Sequence, residues 1–162
     1  MHTETEHKFI IKLPDSAYLE AFEKSSITQI YLINPDASAD RVRKRVFADR
    51  IELTHTVKKR ISKMSASEDE SIITQDEYNK LLERRDPNKN VIYKDRYVLP
   101  YAGHTLEIDI YPFWKKQAVL EIELESEDEA FLIPNSISVI QEVTGNHAYS
   151  NNALSEKIPE EL

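Results

Sequence analysis

Charged and apolar residues alternate along six segments of the chain, and this pattern restricts the fold more than any other feature of the sequence. On a β-strand, side chains two residues apart point to the same face, so Glu4, Glu6 and Lys8 share one face while Phe9 and Ile11 share the other. The same separation places these groups together on a face: Arg41, Arg43 and Arg45; Thr54, Thr56, Lys58 and Arg60; Lys94 and Arg96; Glu107 and Asp109; Glu121, Glu123 and Glu125.

Two arrangements can accommodate such strands. The charged faces can lie in bulk water, but Ser, Thr and Gln would serve there as well, and like charges two residues apart repel one another unless something neutralises them. Alternatively, a closed antiparallel barrel turns the charged faces inward around a polyanion and its metal ions, with the apolar faces outward beneath helices. We favour the second arrangement and predict an α+β fold built on a β-barrel with a charged interior.

The alternation also predicts the elements. We expect helices near residues 15–23, 75–85 and 127–131, the last two with Ser or Thr and Glu at capping-box spacing. The 162 residues have the size of one domain, so we interpret 1–162 as a single domain. The predicted strands span residues 4–13, 29–33, 40–47, 51–59, 91–99, 104–111 and 118–125.

Composition excludes several functional classes. The net charge of -8 argues against a general nucleic-acid binder, because neutralisation of phosphates dominates that affinity. Two glycines in the whole chain do not provide a glycine-rich phosphate loop. No apolar run approaches the roughly 20 residues that cross a bilayer. The absence of cysteine excludes thiolate chemistry and is compatible with a cytoplasmic protein.

The segment Glu4-Thr5-Glu6-His7-Lys8 resembles the N-terminal Glu-x-Glu-x-Lys signature of the CYTH domain, the triphosphate tunnel metalloenzyme family. Further segments resemble the family in the same order and extend the similarity from residue 4 to residue 154. They are Gln29-Ile30-Tyr31-Leu32, Arg41-Val42-Arg43, Thr56-Val57-Lys58, Lys94-Asp95-Arg96-Tyr97, Glu107-Ile108-Asp109, Glu121-Ile122-Glu123, Glu142-Val143-Thr144-Gly145 and Tyr149-Ser150-Asn151. The acidic stretch Glu68-Asp69-Glu70 lacks the Arg that usually precedes it, for which Lys63 is a candidate substitute.

The resemblance implies a closed eight-stranded antiparallel tunnel and a dependence on Mg²⁺ or Mn²⁺. It also implies a small-molecule substrate that carries a linear triphosphate. Hydrolysis of inorganic triphosphate is the leading interpretation. The alternatives are a class IV-type adenylate cyclase, a thiamine triphosphatase, and a polyphosphate- or nucleotide-binding module without catalysis. The sequence does not decide between a monomer and a homodimer, because it shows no recognisable interface.

The resemblance also assigns candidate site residues. Tyr31 and Lys58 are candidates for groups beside the attacking water. The premise is that neighbouring cations lower the pKa of Lys58, so that it can accept a proton from water. The alternative is that Lys58 binds phosphate and Tyr31 is a core phenol. Glu125 and Asp109 are weaker metal candidates. The metal carboxylates are Glu4, Glu6, Glu121 and Glu123. The phosphate-binding cations are Lys8, Arg41, Arg43, Lys58, Lys94 and Arg96.

Overall fold

The computed structural model describes residues 2–162, and its nine β-strands form one antiparallel sheet. Eight of these strands follow one another in the order β5-β4-β3-β2-β6-β7-β8-β1, and pairing of β1 with β5 closes the barrel. The predicted closed eight-stranded barrel is therefore confirmed. The strands are β1 (His2–Lys12), β2 (Glu23–Tyr31), β3 (Ala39–Val46), β4 (Ile51–Arg60), β5 (Ser65–Ile72), β6 (Ile92–Tyr101), β7 (His104–Ile110), β8 (Gln117–Leu124) and β9 (Val139–Glu142).

The first strand has three neighbours, and this arrangement shapes one end of the barrel. One edge of β1 pairs with β8. On the other edge, residues 2–5 pair with β5 and residues 9–11 pair with the short strand β9. A hydrogen bond of 2.7 Å between the hydroxyls of Thr5 and Ser65 lies at the closure. The chain that follows β9 then runs along the base of the barrel, where its backbone N–H at Val143 donates to Lys8 O.

The apolar faces of the strands point outward, as predicted, and two helices cover them. The fully buried residues Ile11, Leu106 and Ile108 belong to a cluster that packs beneath α1 (Ser16–Leu19) and the segment 131–137. On the other side of the barrel, Tyr78 of α2 (Gln75–Leu81) packs in a cluster with Leu32 and Val42. Burial of this apolar area is the main favourable contribution to folding.

The helices agree with the sequence in one case and differ in the others. The capping box of α2 is confirmed, because Thr74 Oγ1 accepts a hydrogen bond from the backbone N–H of Glu77 at 3.1 Å. The helix expected over 15–23 ends at Leu19, because β2 begins at Glu23 and takes those residues into the sheet. No helix forms at 127–131: the carboxylate of Glu129 accepts from the Glu125 N–H and contacts His104 instead. No helix in the described part of the chain is long and apolar enough to span a bilayer.

A third short helix, α3 (Asn151–Leu154), lies at the base of the barrel rather than on its outside. Its N-cap residue Ser150 accepts from the backbone N–H of Ala153 at 3.1 Å. Leu154 packs into a buried cluster that includes Tyr149, Trp114 and Ile10. This cluster fills the interior of the barrel at one end and leaves the charged part of the interior above it.

Gly145 provides a test of how the segment after β9 is fixed. Its backbone has φ of 74°, and a Cβ atom there would approach Lys63 Cβ to 2.8 Å. Gly103 also has positive φ, at 82°, but a Cβ there would meet nothing within 4 Å. We expect Gly145→Ala to destabilise the protein by about 2–3 kcal/mol and Gly103→Ala by about 1 kcal/mol. Urea unfolding of both variants measures the difference, and equal losses would contradict a close contact at Gly145.

Candidate active site

A cavity of about 550 Å³ occupies the barrel, and its lining is almost entirely polar and charged. Among the described residues, eight cationic side chains and eight carboxylates line it, which confirms the predicted charged interior. The cations are Lys8, Arg41, Arg43, Arg45, Lys58, Arg60, Lys94 and Arg96, and the carboxylates are Glu4, Glu6, Glu68, Glu70, Glu107, Glu121, Glu123 and Glu156. All ten predicted metal and phosphate ligands, together with Tyr31, are in this set.

The charges are separated around the circumference of the barrel. Four adjacent strands, β7, β8, β1 and β5, carry seven of the carboxylates and form what we call the acidic wall. The opposite four, β4, β3, β2 and β6, carry seven of the cations and form the basic wall. The exceptions are Lys8 on β1 and Glu156, which follows α3. A ligand inside the barrel therefore faces carboxylates on one side and cations on the other.

Crowding of carboxylates is strongest at β1 and its neighbours. Glu6 lies directly across from Glu123 in the β1–β8 ladder. Burial, followed by the charge of Glu121, raises the pKa of Glu6 well above its usual value, although Lys8 opposes the shift. Within residues 2–162, the Glu6 carboxyl forms no ion pair or hydrogen bond. It is the tunnel carboxylate that most needs an additional positive charge.

The other β1 carboxylate has a different environment. Burial raises the pKa of Glu4, but the charge of Lys58 and hydrogen bonds from Glu68 and Lys58 outweigh burial and hold it below the usual value. The Lys58 Nζ to Glu4 Oε2 distance is 2.9 Å. Glu68 shares a hydrogen bond with Glu4, and burial together with that contact raises the pKa of Glu68 to about 7. Two carboxyl groups and one lysine thus lie together where β5 meets β1.

The carboxylates of β8 also differ from each other. Glu121 is buried and lies 3.5 Å from Lys8 Nζ and 3.9 Å from Arg96 Nη2. Glu123 is about half exposed, and its Oε1 lies 3.7 Å from His2 Nε2. Glu125, the weaker metal candidate beyond them, is exposed and does not line the cavity. Glu121 and Glu123 can therefore both reach a bound ion, whereas Glu125 cannot.

The arginines of β3 have donors without partners. The Nε atoms of Arg41 and Arg43 are buried and form no hydrogen bond with any described residue. Burial, followed by repulsion from Arg41 and Arg96, lowers the pKa of Arg43 to about 10. The sole acidic partner of Arg43 within the described residues is Glu70, at 3.4 Å. A buried polar group without a partner is costly, so these guanidinium groups favour an anionic ligand.

The cations of β6 are, by contrast, already engaged. Arg96 lies across from Asp109 in the ladder and donates to it through Nε and Nη2 at 2.8 and 2.9 Å. Lys94 Nζ donates to the same carboxylate at 2.8 Å. Burial lowers the pKa of Lys94, to about 8, against the opposing charge of Asp109. Asp109, the other weaker metal candidate, is fully buried and does not border the cavity.

The two candidates for groups beside the attacking water are placed differently from the expectation. Lys58 lies between Glu4 and Glu68, at 2.9 and 3.6 Å, so the premise that cations crowd it was wrong. Tyr31 is 2% exposed and accepts a hydrogen bond from Gln29 Nε2 at 3.2 Å. Arg41 also hydrogen-bonds the Tyr31 hydroxyl. Tyr31 therefore lies in a buried cluster, and the role of either residue beside the attacking water stays a prediction.

The donor set fits a hard divalent cation in its chemistry. Mg²⁺ and Mn²⁺ prefer carboxylate oxygens, and Glu4, Glu6, Glu121 and Glu123 supply them on adjacent strands. Across residues 2–162, however, no three His, Asp or Glu side chains already converge on a single point. Lysines occupy part of that space, as the Lys58–Glu4 contact shows. Metal binding would thus require exchange of ion-pair partners.

Several lining residues were not assigned from the sequence. Arg45 and Glu107 share the charged faces already recognised on their strands, so strand alternation alone could have included them, whereas Glu70 lies on β5, which alternation did not detect. Asn151 could not be found this way, because it lies on α3. Its Oδ1 accepts from Lys94 Nζ at 3.4 Å and from the Tyr111 hydroxyl, which connects the base of the barrel to the tunnel.

Similarity to known proteins is found among solved structures, and not among family models or curated sequences. No family model matches the chain, and no curated protein sequence matches it significantly. Among solved structures, the inorganic triphosphatase NE1496 is 27% identical over 99% of both chains, with a TM-score of 0.57. The PH1819 protein from Pyrococcus horikoshii OT3 is 23% identical over 75% of this chain and 80% of its own, with a TM-score of 0.53. HpAC1 from Hippeastrum, a putative adenylyl cyclase described as having a dominant triphosphatase activity, is 16% identical over 75% of this chain and 80% of its own, with a TM-score of 0.50.

Proposed function

Starting from its CYTH-like triphosphate tunnel fold, we propose that the protein hydrolyses inorganic triphosphate to pyrophosphate and orthophosphate with the help of Mg²⁺ or Mn²⁺. The observation that carries the proposal is the pair of opposed walls around one cavity. A chain of phosphates needs cations along its length. A divalent ion that polarises one phosphoryl group needs carboxylates close by.

The charge balance of the tunnel supports participation of a metal. The described lining has as many carboxyl groups as cations, eight of each, and so carries no large excess of positive charge. A linear triphosphate carries several negative charges, and an uncompensated charge inside a protein is strongly unfavourable. Divalent cations that enter with the triphosphate remove this imbalance. A tunnel for a bare polyanion would instead gain from fewer carboxylates.

The carboxylates Glu4, Glu6, Glu121 and Glu123 would hold the metal. When bound, such an ion neutralises charge on the phosphoryl group and lowers the pKa of a bound water. Lys58 would leave Glu4 as that carboxylate takes up the ion, and its ammonium would then bind a phosphate oxygen. Lys58 would thus neutralise Glu4 in the empty tunnel and a phosphate oxygen in the occupied tunnel.

The β3 arginines would hold the phosphate chain. The free Nε atoms of Arg41 and Arg43 can each pair with a phosphate oxygen, and guanidinium groups bind phosphate in two-point contacts. Such contacts fix the terminal phosphorus relative to the acidic wall. Holding reactants in one geometry can account for a large part of a rate enhancement.

The reaction balances without a covalent intermediate on the protein. A water oxygen forms a bond to the terminal phosphorus while the bond from that phosphorus to its bridging oxygen breaks. Pyrophosphate leaves with the bridging oxygen, and both water hydrogens remain on the orthophosphate, which exchanges protons with solvent. Phosphoryl transfer of this kind depends on positioning and electrostatics.

The structure favours inorganic triphosphate over a nucleotide. The one phenyl, phenol or indole ring among the described lining residues is Tyr31, which is buried. The ring of Phe47, near the end of β3, is covered by Arg50 at 3.7 Å and by Arg45 at 4.6 Å. Neither of these two rings therefore offers an open face on which a base could stack.

The test is phosphate release from inorganic triphosphate, ATP and thiamine triphosphate, each with Mg²⁺, Mn²⁺ or EDTA. We expect fast release from inorganic triphosphate that EDTA abolishes, and little release from the other two. Cyclic AMP and pyrophosphate from ATP would support the cyclase instead. Tight binding of inorganic triphosphate with no product from any substrate would support a binding module.

A further inference from the structure

The carboxylate of Asp109 lies on the inward face of β7, deeper in the barrel than Glu107 of the same face. The residue is fully buried and does not border the cavity, although Arg96, its partner in the β6–β7 ladder, does. Its two oxygens accept three hydrogen bonds, from Arg96 Nε, Arg96 Nη2 and Lys94 Nζ, all between 2.8 and 2.9 Å. Both carboxylate oxygens are therefore engaged by cations of β6, and neither is presented to the cavity.

The two boundaries between the acidic and basic walls differ in how tightly charges pair. Where β4 meets β5, Lys58 lies 2.9 Å from Glu4 and 3.6 Å from Glu68, and all three side chains are partly exposed to the tunnel. Where β6 meets β7, the Lys94 and Asp109 side chains are 1% and 0% exposed. The first boundary can exchange partners when ligands enter, whereas the second is fixed.

At the boundary between β6 and β7, Lys94 and Arg96 keep hydrogen-bond donors that are not used within the protein. Arg96 has five N–H groups and uses three of them, two on Asp109 and one on Glu107 at 3.0 Å. Lys94 has three N–H groups and uses two, on Asp109 and on Asn151. Both side chains line the cavity, so each retains at least one donor for a ligand while its hydrogen bonds to Asp109 fix its orientation.

We propose that Asp109 is a positioning residue of this site, which holds Lys94 and Arg96 as a rigid pair of donors directed at the phosphoryl group that is cut. This inference rests on the proposed function. Asp109 acts through the two cations and never contacts the substrate. Fixed donors need no reorganisation when charge develops on phosphate oxygens, and for this reason preorganised cations accelerate such reactions. Lys58 and Arg43 bind substrate, while the Asp109-held pair favours the transition state.

The experiment compares Asp109→Asn with Asp95→Asn. Asp95 lies on the opposite face of β6 and pairs with Ser26 and Lys24 outside the tunnel. We expect Asp109→Asn to lower kcat by roughly 100-fold with a smaller change in KM, and Asp109→Glu to recover part of kcat. Mn²⁺ affinity, measured by calorimetry, should stay unchanged because the carboxylates of β1 and β8 are intact. Asp95→Asn should behave as the wild type.

Loss of stability has to be separated from loss of positioning, because Asp109→Asn leaves two buried cations with a weakened partner. Thermal unfolding gives the melting temperature of Asp109→Asn, and kcat measured well below that temperature reports on folded protein; under this inference the loss of kcat persists there. Wild-type kcat and KM in a folded Asp109→Asn variant would overturn it while the proposed function stands. A wild-type protein that hydrolyses no triphosphate would overturn both.

Discussion

Glu6→Gln is expected to reduce metal-dependent hydrolysis of inorganic triphosphate on the order of 100-fold or more, while the protein becomes no less stable. The carboxylate has no ion pair within the described chain, and burial together with Glu121 raises its pKa. A carboxyl group whose pKa is raised by folding costs stability when ionised, and this cost grows as the pH rises above its ordinary pKa. Glutamine keeps the shape and removes the cost.

Thermal unfolding at about pH 8 and about pH 5 checks the stability part: the melting temperature of Glu6→Gln should equal or exceed that of the wild type, with the larger gain at the higher pH. Calorimetry with Mn²⁺ checks the metal part. Glu125→Gln is the matched control, because Glu125 continues the same alternation but does not line the cavity. Full turnover in Glu6→Gln would remove this residue from the metal site.

Arg43→Met is expected to weaken substrate binding without weakening the fold. Arg43 lies among other cations, and burial together with Arg41 and Arg96 lowers its pKa to about 10. Removing its charge relieves that repulsion, while the methionine keeps most of the buried stem. A hydrogen bond to a charged group contributes about 1.5–3 kcal/mol, so KM for inorganic triphosphate should rise roughly 10- to 100-fold.

Lys44→Met is the control for this variant, because Lys44 is exposed on the opposite face of the same strand. Steady-state kinetics of the two variants, together with their melting temperatures, separate charge in the tunnel from charge on the surface. An equal KM in Arg43→Met and the wild type would show that the phosphate chain does not reach β3.

The barrel could be predicted from alternation because the sequence of each such strand shows which of its two faces is charged. The strand β5 escaped detection as a strand because Ser65 to Glu70 contains no large apolar residue. Its position is set by its neighbours, through pairs such as Lys58 with Glu68. The helix expected over 127–131 failed for a related reason: a tertiary contact to His104 took the Glu129 carboxylate that would have capped it.

The sequence predicted most of the charged residues that line the tunnel, but it did not predict which of them pair with one another. Alternation places Lys58, Lys94 and Arg96 on inward faces, but it does not give the order of strands around the barrel. That order decides that Lys58 meets carboxylates rather than cations, and that Asp109 lies beside Arg96 of β6. Long-range register, which no local pattern encodes, accounts for both placements.

The central claim is that an acidic and a basic wall take up metal and triphosphate together. Calorimetric binding of imidotriphosphate, in which NH replaces the bridging oxygen, tests it directly when measured with Mg²⁺ and with EDTA at matched ionic strength. Because the described tunnel lining has as many carboxyl groups as cations, we predict binding on the order of 100-fold tighter with Mg²⁺, and by linkage an equal strengthening of Mg²⁺ binding by the anion. Equal affinity with and without the metal would contradict the account.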